Sequence, residues 1–388
     1  MNILPVANLL ILLLLFAYKP IKAEVLPGAT QTEAYLELLE GKTIGVVANQ
    51  ASLVGERHLV DTLLDHGIDI STIFTPEHGF RGEAEAGALI DDGVDGQTLL
   101  PLVSLYGNHK KPKEEDLRGI DMMVFDLQDV GVRFYTYIST LHYVMEACAE
   151  KNIPLLILDR PNPNIHYVDG PILKPEFQSF VGMHPVPIVY GMTIGEYAHM
   201  INGEKWLQKG VQCLIKVVQN KNYGRQSTYE LPIPPSPNLP NQNSIYLYPS
   251  LCLFEGTNVS VGRGTDYPFQ IIGSPYFKGG DIDFTPSPIR GKSEAPKHNG
   301  VKCNGLDLRD KAWIVKENGA LVLKWLIEFY DAAPEKDAFF TPFFEKLTGT
   351  SSVREMIRLG KSAAEIQESW QAEVRDFKNN VRSKYLIY

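Results

Sequence analysis

The stretch IDISTIFTPEHGFRG, residues 68–82, decides the fold: an apolar run from Ile68 to Phe74 reads as a strand and empties into a loop dense in ionisable groups. That loop carries Glu77, His78 and Arg81, and Glu83 and Glu85 follow directly. In open parallel sheets ligands bind beyond the carboxyl ends of the strands, so this loop is where an α/β protein keeps its chemistry. Glu83 and Glu85 fit a solvated acidic loop. Glu77 is held between Pro76 and the His78-Gly79 pair at the strand exit, and is the first candidate for a functional carboxylate.

The same pattern recurs on both sides. Thr43–Ala48, Leu100–Leu105, Asp121–Asp126 and Pro154–Leu158 read as further buried strands, with amphipathic helices at His58–His66 and Thr140–Lys151 between them. Alternation of this kind predicts an α/β fold, a Rossmann-like parallel sheet with helices on both faces. After the first strand comes Asn49-Gln50-Ala51-Ser52, without a Gly-x-Gly-x-x-Gly turn, which argues against a nicotinamide or flavin cofactor. Asn220 to Asn243 is rich in Pro, Asn and Ser and reads as an ordered crossing between domains, since its prolines disfavour helix and central strand alike. Beyond it, Tyr246–Phe277 suits short strands and tight turns, whereas Gly319–Tyr330 and Ala363–Asn379 suit amphipathic helices, so a smaller α+β domain is expected. The expected division is residues 24–235 and 236–388, with the site in the cleft between them.

Residues 1–23 read as a secretory signal peptide: an apolar block from Ala7 to Ala17, too short to span a bilayer comfortably, ends at the small residue Ala23. The expectation is an exported, periplasmic or extracellular protein whose mature chain does not insert in a membrane. Its 37 basic and 46 acidic residues give a net charge of −9, which argues against nucleic acid as a partner. An anionic ligand would have to be met by local arginines. Cys148, Cys213, Cys252 and Cys303 have no metal-ligand spacing and read as buried apolar residues or one incidental bridge.

Four more polar clusters sit at expected strand ends. Asn49 and Gln50 could bind a ligand or cap the next helix. Asp126-Leu-Gln-Asp129-Val-Gly-Val-Arg133-Phe-Tyr135-Thr-Tyr137 joins two carboxylates, an arginine and aromatics, the mixture a sugar site requires; the structural alternative is an Asp126–Arg133 ion pair with the aromatics in the core. Asp159 and Arg160, adjacent and pointing apart, each need a partner elsewhere. In the second domain, LFEGTNVSVGRGT offers Glu255, Asn258 and Arg263 among glycines that permit close backbone approach. The nearest approach to a nucleophile elbow, Gly191-Met-Thr193-Ile-Gly195, has threonine at its centre and no evident histidine partner.

Taken together, TPEHGFRG, DLQDVGVRFYTY, LDRPNP, PSPNLP and LFEGTNVSVGRGT resemble, in order and over nearly the whole chain, the bacterial exo-β-N-acetylmuramidases of the NamZ type. The resemblance implies a Rossmann-like domain, a smaller second domain, and release of terminal N-acetylmuramic acid from the non-reducing ends of peptidoglycan fragments. It places Glu77 at the catalytic glutamate and leaves Asp126, Asp129 and Glu255 as candidates for its partner. Candidate substrate contacts are Asn49, Gln50, His78, Arg81, Arg133, Tyr135, Tyr137, Asp159, Arg160, Asn238, Asn258 and Arg263. Glycoside cleavage commonly uses two carboxyl groups, and an N-acetyl sugar can also supply its own acetamido oxygen. Arg133, Arg160 or Arg263 could pair with the lactyl carboxylate of muramic acid. The scheme requires no metal and no cofactor.

Two rival readings fit parts of the pattern. One is a metal-dependent esterase or phosphatase with Glu77, His78, Asp126 and Asp129 as ligands. The other is an exported two-lobed sugar-binding protein without catalysis.

Overall fold

A computed structural model describes residues 23–77, 79–81 and 93–388. The signal-peptide reading, His78, Glu83 and Glu85 fall outside the described residues.

The first half is built on seven strands: β1 (Thr43–Ala48), β2 (Asp69–Thr75), β3 (Gly93–Val94), β4 (Pro101–Ser104), β5 (Met122–Asp126), β6 (Leu155–Leu158) and β7 (Ile215–Val218). They lie in the order β3-β4-β2-β1-β5-β6-β7, all pairings parallel except β3 against β4. Side-chain alternation splits each central strand between two cores. Ile44, Val46, Val124, Leu156 and Leu158 pack on one face with helix α1 (Leu59–Asp65). Val47, Met123, Phe125, Leu155 and Ile157 pack on the other, with α2 (Tyr137–Lys151) and α3 (Ile194–Gly203). The α/β expectation with covered faces is therefore met. Thr193, the centre of the elbow-like motif, caps α3 by accepting from the Glu196 N–H, and the Glu196 carboxylate accepts from the Thr193 N–H in return.

The second half carries β8 (Ile271–Ser274), β9 (Ile282–Phe284) and β10 (Cys303–Asp307) as an antiparallel sheet in the order β8-β10-β9, with helices around it, in keeping with the α+β expectation. Its first element departs from the sequence reading. Residues 242–251 form helix α4 (Gln242–Leu251) where the end of the crossing and, from Tyr246, short strands were expected, because Asn241 accepts from the Ser244 N–H and starts a helix that the surrounding prolines concealed. Helix α5 (Ala312–Asn318) ends at Gly319, whose φ of 58° is the left-handed stop, so the helix expected from Gly319 begins only at α6 (Lys324–Ala332). Three further helices, α7 (Phe343–Thr348), α8 (Ser352–Arg358) and α9 (Ala363–Asp376), close the chain over the first half. The Trp370 indole N–H donates to Asp169, and the Tyr388 hydroxyl donates to Asp159 at 2.6 Å. The larger core runs without a break from α2 and α3 into Phe254, Phe329 and Trp370.

All four cysteines are free and buried. No helix among the described residues is long and apolar enough to cross a membrane.

Candidate active site

From β1 the chain moves outward through β2 to β4, then crosses back to β5 and continues outward through β6 and β7. The β1/β5 boundary is therefore the topological switch point, and the crevice beyond its carboxyl ends is the natural binding place. Tyr135 and Tyr137, just past β5, bring their rings to 4.7 Å of each other there. Both hydroxyls donate to the Pro235 carbonyl, at 2.8 and 3.4 Å, and Asn49 at the exit of β1 donates its amide to the Tyr137 hydroxyl at 2.7 Å. Gln50 adds donations to the carbonyls of Pro234 and Pro235. Asn49 and Gln50 thus act behind the cavity wall, tying the proline-rich crossing to the sheet so that Ser236 and Asn238 reach the cavity.

The cavity over these tyrosines has a volume of about 350 Å³. Glu77, half-buried at the exit of β2, faces it; Thr136 donates to Glu77 Oε2 at 3.2 Å, and the Tyr106 hydroxyl lies against the same carboxylate. Burial and the Glu77 charge both push the Tyr106 phenol pKa up, so that it stays a hydrogen-bond donor. The second half supplies Tyr248 from α4 and Glu255 from the short turn Cys252–Gly256 that follows it. Glu255 Oε1 accepts from Arg263 Nε at 2.7 Å, and the guanidinium lies 5.0 Å from the Phe269 ring centre. Both side chains of this pair remain 23% exposed, so a ligand can reach them. Behind them the Lys297 ammonium donates to the carbonyls of Phe254, Thr257 and Val259, fixing the turn that carries Glu255. Burial lowers the Lys297 pKa to about 8, and the Glu255 charge partly offsets this.

The cavity therefore gathers Glu77, Tyr135, Tyr137, Asn238, Glu255 and Arg263 from the sequence-derived candidates. It also uses Tyr106, Thr136, Phe180 and Tyr248, which the sequence reading did not single out. Tyr106 could have been found by its position two residues beyond the β4 strand; Phe180 and Tyr248 carry no local signal.

Other candidates are corrected to framework positions. Asp126, wholly buried, is bound by Arg160 through Nε to Oδ1 at 2.5 Å and Nη2 to Oδ2 at 2.7 Å, so neither reaches the cavity, and the Asp126–Arg133 pair that stood as the structural alternative does not form. Arg133 is also wholly buried, and donates instead to the carbonyls of Pro171, Val186, Leu347 and Thr348. Desolvation without a carboxylate partner lowers its pKa to about 9. Asp129 accepts from the Tyr190 hydroxyl and the Gly131 N–H, and Asp159 from the Tyr388 hydroxyl and the Gly195 N–H. Burial raises the pKa of each carboxyl to about 6. Arg81 is engaged by Asp95 at 3.0 Å and covers Phe80, and Asn258 accepts from Tyr276 while its carbonyl meets His298. Among the described residues no group of three or more His, Cys, Asp or Glu side chains is arranged to hold a metal ion.

Two carboxylates, a reachable guanidinium and an aromatic floor can hold a ring bearing an acidic substituent and move protons at its edge. Residues 44–243 match the family model described as exo-beta-N-acetylmuramidase NamZ, N-terminal, and residues 246–388 match its C-terminal counterpart. The chain belongs to the NamZ exo-β-N-acetylmuramidase family. It is 40% identical, over 91% of its own length and 89% of the relative's, to the peptidoglycan β-N-acetylmuramidase NamZ of Bacillus subtilis. Two crystal structures of DUF1343 family proteins from Bacteroides fragilis share the architecture. One is 46% identical with a TM-score of 0.87, the other 26% identical with a TM-score of 0.79, and each covers 94% of this chain and is itself covered to 99%.

Proposed function

We propose that this protein is an exo-acting glycoside hydrolase that releases terminal N-acetylmuramic acid from the non-reducing ends of peptidoglycan fragments. The observation that carries the reading is the convergence of Glu77 and Glu255 with Arg263 on one aromatic-floored cavity, in a chain of the NamZ family. Glu77 is the general acid: it gives its proton to the glycosidic oxygen as the bond to the anomeric carbon breaks and the bonding pair leaves with that oxygen. The Thr136 hydrogen bond fixes the direction of its carboxyl group. Glu255 is the second carboxylate. It serves the anomeric carbon as nucleophile, as base for the attacking water, or by polarising the substrate's acetamido group, three routes separated by the stereochemistry of the first product and by trapping of intermediates. Arg263 takes the lactyl carboxylate of the muramic acid, and Tyr135 and Tyr137 form the floor beneath the sugar. The apolar leader before Ala23 supports export to the periplasm or the cell exterior.

The test is release of free N-acetylmuramic acid from a chromogenic muramide, with the corresponding N-acetylglucosaminide as control. Wild type is expected to cleave the muramide, and folded Glu77→Gln to bind it without turnover. A folded wild type that cleaves neither sugar sinks the reading and favours a sugar-binding protein.

A further inference from the structure

A second cavity, of about 410 Å³, adjoins the first across a single aromatic wall. Phe180 lines both. Its backbone carbonyl accepts a hydrogen bond from Ser139 of α2 at 2.7 Å, so the wall is pinned to the fold. On the catalytic side the Phe180 ring meets Tyr106, 6.2 Å away edge to face, and Tyr106 lies against Glu77. On the far side Tyr143 lies parallel to Phe180 with ring centres 6.3 Å apart, and the Lys110 ammonium sits 4.9 Å from the Phe180 centre. The second cavity is closed by His142, His184 and Trp206, with Trp206 stacked on His184 at 4.6 Å.

The chemistry of this cavity is distinct from that of the first. Among the described residues it has flat aromatic faces, the Gln178 amide and one cation, and no carboxylate lines it. His142 and His184 are hydrogen-bonded to each other, and burial lowers the pKa of both, so the rings are neutral. Neighbouring Lys111 is consumed by Glu146 and Glu150, both at 2.8 Å, whereas Lys110 forms no ion pair among the described residues.

On the proposed reading of the catalytic cavity, we infer that this second cavity binds the saccharide on the leaving-group side of the scissile bond, one or two sugars beyond the terminal muramic acid. Phe180 and Tyr143 offer apolar faces to sugar rings, Gln178 serves an acetamido or hydroxyl group, and Lys110 meets the lactyl carboxylate of an internal muramic acid. A stem peptide fits less well, because its several carboxylates would face Lys110 as the one cation among the described lining residues. The protein then selects chains of alternating muramic acid and glucosamine over isolated muramides.

The experiment compares kcat/KM for a peptide-free tetrasaccharide of alternating N-acetylmuramic acid and N-acetylglucosamine with kcat/KM for an aryl muramide, whose leaving group ends at the first cavity. The ratio is expected to fall about tenfold in Lys110→Ala/Tyr143→Ala, the size of a lost aromatic and charge contact. The single change Lys110→Ala, at a half-exposed side chain, should lower it by a smaller factor and guards against misfolding. An unchanged ratio overturns the inference, as does a fall confined to peptide-bearing fragments. Calorimetric binding of the tetrasaccharide to Glu77→Gln separates this question from the reaction itself. If neither the aryl muramide nor the tetrasaccharide is cleaved, the muramidase reading fails. Weaker binding on adding the Lys110 and Tyr143 changes would still uphold the saccharide site.

Discussion

Glu255 and Arg263, eight positions apart on the turn after α4, meet as an ion pair at 2.7 Å on the wall of the cavity that Glu77 also faces. The pair orders a carboxylate in a half-buried place while leaving the guanidinium's remaining donors for a ligand. Glu255→Gln should therefore lower kcat on a chromogenic muramide by roughly 10²- to 10⁴-fold, the range for a lost acid–base partner, with the melting temperature little changed. A drop in KM alone, with kcat preserved, would remove Glu255 from the reaction.

Arg263→Lys keeps the charge and loses the planar fork. Expected is a roughly 10- to 100-fold loss in kcat/KM for the muramide, the equivalent of about 1.5–3 kcal/mol for a hydrogen bond to a charged group. The loss should be concentrated in KM and should disappear for an analogue lacking the lactyl carboxylate. Equal losses on both substrates would mean that Arg263 acts only by holding Glu255.

The Asp126–Arg160 pair predicts a stability effect. Breaking it by Asp126→Ala leaves a buried guanidinium uncompensated and should cost about 3–5 kcal/mol in denaturant unfolding. Replacing both, Asp126→Leu with Arg160→Met, should recover part of that loss. If the double replacement is no more stable than the single one, the pair does more than satisfy itself.

Asp129 gives a pH dependence of known sign. Its folded carboxyl titrates near 6 because burial disfavours the charge, above the ordinary value of 3.8. The stability tied to its proton is complete below the unfolded pKa and is lost as pH rises through about 6. Wild type should thus gain stability relative to Asp129→Asn as pH falls from 7 to 4, by up to roughly 3 kcal/mol. Melting curves of both proteins across that range check it, since the buried histidines and the salt-bridged carboxylates contribute equally to each and cancel in the difference. A constant difference would refute the shift.

The strands were legible because each central one carries a short run dominated by apolar residues and ends in a polar cluster. Glu77 was legible for the same reason. Charge pairing was not. Arg133 stands seven residues from Asp126, yet its partners are carbonyls, two of them more than two hundred residues away, and Asp126 turns to Arg160, two residues past the end of the next strand. Local sequence offers many plausible partners, and only the sheet order decides which strand ends are neighbours. Helix α4 was concealed by Pro240 and Pro249, although its Asn241 cap stood in plain view. Phe180 and Tyr248 reach the cavities through tertiary packing alone.

The reach of Arg133 bears on how such a protein can change. Its guanidinium ends against Leu347 and Thr348, and any Cβ at Gly349 would come within 2.7 Å of it. Two family models divide this chain near residue 245, yet the first half carries a key whose lock is in the second. Chimaeras joined at that division would inherit mismatched locks unless position 349 and the 347–348 carbonyls came with the arginine, so the two halves are expected to vary together and to be inherited as one piece.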